Sequence, residues 1–94
     1  MRKELNPIIH TPLRLSVVTL LAQVEEADFN YLKNETGATP GNLSVQLDKL
    51  SEAGYIRITK SFEGKRPRTT ASLTEKGHTA LEEYIETLKG YLGL

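Results

Sequence analysis

The chain has 94 residues, 38% hydrophobic and 26% charged, with a formal net charge of zero. That is the make-up of one small globular domain with a single core, not of a binder whose whole surface is positive. The absence of cysteine excludes disulfide staples, thiolate zinc sites and cysteine nucleophiles.

No apolar run approaches the roughly 20 residues of a membrane span, and the first ten residues, MRKELNPIIH, lack the apolar core and cleavage pattern of a signal peptide. The expectation is a cytoplasmic protein without membrane contact. Pro7 and Pro12 keep the opening segment extended. Thr11 then caps a first helix, with Pro12 at its first position and Leu13, Val17, Leu20, Leu21 and Val24 at helical spacing; it is predicted over residues 11–23. Arg14 lies off that apolar face. After the acidic break Glu25–Glu26, Asp28 opens a second, shorter helix carrying Phe29 and Leu32 and ending at Gly37.

Thr39 is the next cap and Pro40 the next first-turn proline, so a third helix is predicted over 39–53, closed by Gly54. Leu43, Leu47 and Leu50 recur at i, i+4 and i+7 and must face a core. The opposite face carries Pro40, Gly41, Asn42, Ser44, Val45, Gln46 and Lys49, with no acidic residue in the first two turns. Such a face can approach another molecule closely. Only Gly37 and Ala38 separate this helix from the preceding one, a turn of helix-turn-helix length.

Beyond Gly54 the period falls from 3.6 to 2. Ile56 and Ile58 alternate with Arg57 and Thr59 in a strand running to about Phe62; a charged turn, EGKRP, leads to a threonine-rich partner strand, 68–73, at the sheet edge. The hairpin, 55–73, has a basic tip: residues 57–68 hold five cations (Arg57, Lys60, Lys65, Arg66, Arg68) against Glu63 alone, a balance of +4. A last helix over 74–92 carries Leu81, Tyr84, Ile85, Leu88, Tyr91 and Leu92 along one stripe, with Gly77 a weak point near its start. Residues 75–89 hold four acids and two cations, a balance of −2, so charge is segregated along the chain.

Helix, helix, glycine turn, helix, strand, basic turn, strand, helix is the order of a winged helix-turn-helix domain. The segments NPIIHTPLRL (6–15), LSVQLDKLSEAGYI (43–56), KRPRT (65–69) and SLTEKG (72–77) sharpen the match. On them the chain resembles the short stand-alone winged-helix transcriptional regulators of the MarR and ArsR type. The resemblance implies an α+β, mostly α fold in a single domain over 1–94: three helices, a two-stranded wing and a C-terminal dimerisation helix. It also implies that the third helix is the recognition helix. Such helices often carry Arg, His or Lys mid-face, where Val45 and Gln46 stand here; bidentate reading of guanine is thus replaced by Gln46 on adenine and Val45 on a thymine methyl.

The expected function is sequence-specific binding of double-stranded DNA by a homodimer that regulates transcription. Thr39, Gly41, Asn42, Ser44, Val45, Gln46 and Lys49 would meet the major groove, and Lys60, Lys65, Arg66 and Arg68 the backbone or minor groove. One half-site is too little for a neutral protein to find its target among competitors, so a dimer is expected through Ile8, Ile9, Leu81, Tyr84, Ile85, Leu88, Tyr91 and Leu92. The alternative is a winged-helix module that binds protein rather than DNA. An enzyme is not expected: there is no phosphate loop, no paired-carboxylate signature and no nucleophile with a base. His10 reads as a structural hydrogen-bonding residue, and His78 with Glu82 and Glu86 makes a poor metal site, so no metal or cofactor is expected. A small-molecule effector would sit between the last helix and the helix-turn-helix, where no motif marks a pocket.

Overall fold

A computed structural model describes residues 3–94; Met1 and Arg2, which the single-domain expectation over 1–94 includes, lie outside the described residues. Each helix begins where a side chain can replace the missing backbone acceptor. Thr11 accepts from Arg14 N at 3.3 Å and opens α1 (Pro12–Leu21). Asp28 accepts from Tyr31 N at 2.8 Å and opens α2 (Phe29–Thr36). Thr39 accepts from Asn42 N at 3.2 Å and opens α3 (Pro40–Glu52), and Thr74 accepts from Gly77 N at 3.0 Å and opens α4 (Glu75–Leu92). Caps of this kind contribute about 1 kcal/mol each. Gly37, at φ 71°, closes α2 in the left-handed conformation that the tight turn into α3 requires.

The sheet has three strands rather than the two expected. Ala27 and Asp28 form β1 (Ala27–Asp28) and pair antiparallel with Ala71 and Thr70 of β3 (Arg66–Leu73), which also pairs with β2 (Ile56–Glu63). The order is β1-β3-β2, so β3 is central and not at the edge. A two-residue strand is too short to show any period, which is why the sequence marks only the acidic break at Glu25–Glu26 and the cap at Asp28, with no strand between them. The hairpin is also tighter than expected: pairing runs from Ile56 opposite Leu73 to Glu63 opposite Arg66, leaving only Gly64 and Lys65 as the loop. Arg66 and Pro67 belong to β3, not to the turn. Helix α1 stops at Leu21, two residues short of prediction, and Val24 is left 41% exposed instead of joining the apolar face.

The core collects Val17, Val18 and Leu21 of α1, Leu32 of α2, Leu43, Leu47 and Leu50 of α3, Ile56 and Ala71 of the sheet, and Leu81 of α4. Fully burying each of the larger side chains contributes roughly 1.5–3 kcal/mol. A second cluster clamps the N-terminal segment onto α4: Ile9 packs with Ala80 and Tyr84. Asn6 Nδ2 donates to Tyr55 Oη at 2.8 Å, and His10 Nδ1 lies 2.9 Å from Tyr84 Oη. Ile9, Leu81 and Tyr84, expected to meet a second copy, are therefore buried inside the chain itself. Helical spacing marks an apolar stripe but not whether the same chain covers it.

Candidate nucleic-acid interface

With Leu43, Leu47 and Leu50 buried, α3 turns Gly41, Asn42, Ser44, Val45 and Lys49 to the surface, and its cap Thr39 is exposed as well. Gln46 differs. It lies at the flank of that face, half-buried, with both ends of its amide engaged: Oε1 accepts from Arg14 Nη1, and Nε2 donates to Asn42 Oδ1 at 3.0 Å. The expected adenine reader is thus already occupied within the chain.

On the wing, Lys60, Lys65, Arg66 and Arg68 are all exposed. Strand alternation sorts them onto two sides. Lys60 shares a face with Ile56 and Ile58, the face that packs toward the helices, and there Phe29, Ser44, Asp48, Ile58, Lys60 and Thr69 line a cleft of about 310 Å³ between α3 and the wing. Arg66 and Arg68 stand on the opposite face with Glu63, whose carboxylate lies 3.9 Å from Arg68 Nε. Both partners of that pair are well solvated, so it fixes little and leaves the tip positive.

Three residues escaped the sequence reading. Asp48 places an acid in the cleft beside Lys60. Phe62 is 76% exposed near the wing tip, paired across the ladder with Pro67 and on the same face as Lys60. Its place at the end of an alternating run carried no hint that the core would stop short of it. Arg14 lies off the apolar face of α1, yet its guanidinium reaches Gln46 of α3. Contacts between elements distant in sequence have no local signature.

Of the residues expected at a dimer surface, Ile8 and Leu88 are half-buried, and Ile85, Tyr91 and Leu92 are exposed. Tyr91 Oη also donates to the Lys3 carbonyl at 3.0 Å. A groove of about 580 Å³ runs along α4 between Lys3 and Tyr91, lined by Glu82, Glu83 and Glu86. It does not lie between α4 and the helix-turn-helix, where an effector was expected. No helix among the described residues is long and apolar enough to cross a membrane.

A capped helix after a glycine turn, an antiparallel wing and a helix closing the domain define a winged helix-turn-helix protein. Residues 13–92 match the model of the winged helix DNA-binding domain family, and the chain belongs to that family. Among its relatives is an uncharacterised protein of Methanocaldococcus jannaschii, MJ0432, 37% identical over 78 residues that cover 83% of this chain and 85% of that one. A transcriptional regulator homologue from Pyrococcus horikoshii has the same fold, with a TM-score of 0.85 and 27% identity over 92% of this chain and 85% of that one. The transcriptional repressor CouR, solved bound to a 23-mer DNA duplex, superposes with a TM-score of 0.74 at 26% identity, covering 87% of this chain and 57% of CouR. The winged-helix regulator resemblance drawn from the sequence motifs therefore holds.

Proposed function

We propose that the protein is a sequence-specific regulator of transcription that binds double-stranded DNA as a homodimer, with α3 in the major groove and the wing on the backbone or in the minor groove. The observation that carries this is the shared exposure of the α3 face and a wing with four exposed cations beside it. The DNA-bound state of CouR, which shares the fold, supports it. The small residues Gly41 and Ser44 let the helix backbone approach phosphates, and Asn42, Val45 and Lys49 reach toward base edges. The wing cations supply the sequence-independent attraction. Because the net charge is zero, that attraction comes from the wing cations and not from the whole surface, which orients the encounter.

Fluorescence anisotropy against a specific and a random duplex over a range of salt concentrations tests the assignment. Arg66→Ala is expected to weaken both complexes alike, by about threefold to tenfold, and to lower the slope of log K against log salt by about one, the loss of a single phosphate contact. Unchanged affinity and slope would remove the wing from the interface. Asp48 in the cleft and the bare Phe62 ring favour a second reading, a protein-binding winged helix, to which the complete absence of salt-dependent duplex binding would point.

A further inference from the structure

We propose that Arg14 is a positioning residue for base recognition: through Gln46 it fixes the amide of Asn42, so that Asn42, and not Gln46, reads a base, and that base is adenine. The inference rests on the DNA-binding reading above.

The order of hydrogen bonds follows from what each group is able to do. A guanidinium only donates. Arg14 Nε donates to the Ile8 carbonyl at 2.6 Å and Nη2 to the Pro7 carbonyl at 3.4 Å, which holds the fork in one plane; Nη1 points at Gln46. Gln46 must then turn its oxygen to Arg14, which settles the sense of an amide whose O and N are otherwise interchangeable. Its Nε2 is left to face Asn42, 3.0 Å from Oδ1, and the same logic forces the Asn42 oxygen inward. The Asn42 NH₂ group is left pointing away from the chain, on an exposed residue in the first turn of α3. Arg14 has no carboxylate partner among the described residues, so nothing competes for its donors.

An outward NH₂ beside an oxygen with one remaining lone pair is a donor and acceptor pair of fixed polarity. In the major groove it matches adenine, which accepts at N7 and donates from N6. Cytosine offers only a donor at that edge and leaves the NH₂ unpaired. Gln46, engaged at both ends, acts as the relay. Releasing it from Arg14 frees two side chains that must be ordered again on binding, which corresponds to about a fivefold loss of discrimination.

The test combines selection from a randomised duplex pool with anisotropy on the selected duplex and its single-base variants, for the wild type, Asn42→Ala, Gln46→Met and Arg14→Met. Gln46→Met breaks the relay without touching the Ile8 and Pro7 carbonyls or removing a charge, so it keeps the question answerable if Arg14→Met loosens the N-terminal segment. Thermal unfolding is followed in parallel. Expected are an adenine in each half-site whose preference Asn42→Ala abolishes and each relay variant lowers about fivefold at that same position. The Arg14→Met, Gln46→Met double variant should lose no more than either single one, and random-duplex affinity should stay within about twofold for Gln46→Met. The proposal is overturned if Gln46→Met erases preference at a position that Asn42→Ala leaves alone, since Gln46 then reads directly. It is equally overturned if Arg14→Met weakens all duplexes by one factor. Wild-type protein that enriches no duplex at all would instead defeat the DNA-binding reading on which the relay depends.

Discussion

Gly77→Ala is expected to destabilise the protein by about 2–3 kcal/mol, although alanine is the better helix former by about 1 kcal/mol. The cause is a close approach. A Cβ built on Gly77 would stand 2.1 Å from the Tyr55 carbonyl oxygen and 2.7 Å from Leu73 Cδ1. The carbonyl cannot swing aside, because it accepts from Thr74 N at 2.9 Å, while Thr74 Oγ1 donates to the neighbouring Gly54 carbonyl at 2.6 Å. The start of α4 is thus pinned to the chain leaving α3, and one methyl group must push the two apart. Overpacking a fixed site costs about 1–3 kcal/mol, and each strained hydrogen bond about 1 kcal/mol more, which together exceed the gain in propensity. For a domain of this size the melting temperature should fall by roughly 10–20 °C, read by circular dichroism at a fixed protein concentration. A melting temperature equal to or above that of the wild type would show that α4 can retreat without loss. What the sequence suggested as a weak point in a helix is where the helix comes closest to the rest of the fold.

That reversal marks the boundary of what local pattern conveys. The limits of α3 were legible because both its ends are written in side-chain chemistry: Thr39 with Pro40 at one, Gly54 at the other. Its buried face was legible because Leu43, Leu47 and Leu50 repeat with the helical period. The wing could be read from the period-2 alternation at Ile56 and Ile58 and from the clustering of cations. What stayed hidden depends on partners far along the chain. β1 exists only because β3 lies beside it, and two residues cannot show a period. Ile9 and Tyr84 meet each other across 75 residues, and no spacing rule announces that one covers the other. Gln46 looked like a base reader because its helix position allows it; Arg14, 32 residues earlier, takes its oxygen instead. Adenine and thymine remain the expected targets of α3, but the residue best placed to read adenine moves from Gln46 to Asn42.

Ile85→Glu combined with Leu92→Glu is expected to turn a dimer into a folded monomer and to weaken binding to a two-fold symmetric duplex by at least about 100-fold, as one half-site is lost. Helix α4 buries Gly77, Ala80, Leu81 and Tyr84 before Ile85 and then outruns the core, carrying Ile85, 41% exposed, and Leu92, 62% exposed. Neither side chain belongs to the buried core or packs against it, so the paired substitution should shift the monomer's intrinsic stability by no more than about 0.5 kcal/mol each way per site. In a dimer through the C-terminal half of α4, by contrast, each copy would bring two carboxylates into an apolar seam, where an unpaired charge costs far more than the leucine or isoleucine contributed. Sedimentation at tens of micromolar separates the cases. Dimeric wild type and monomeric variant, with the variant's residual affinity equal for symmetric and single half-site duplexes, would place the interface on α4. A variant that still sediments as a dimer would move the interface elsewhere, and a monomeric wild type that nonetheless selects a symmetric site would mean that the DNA itself brings the two copies together.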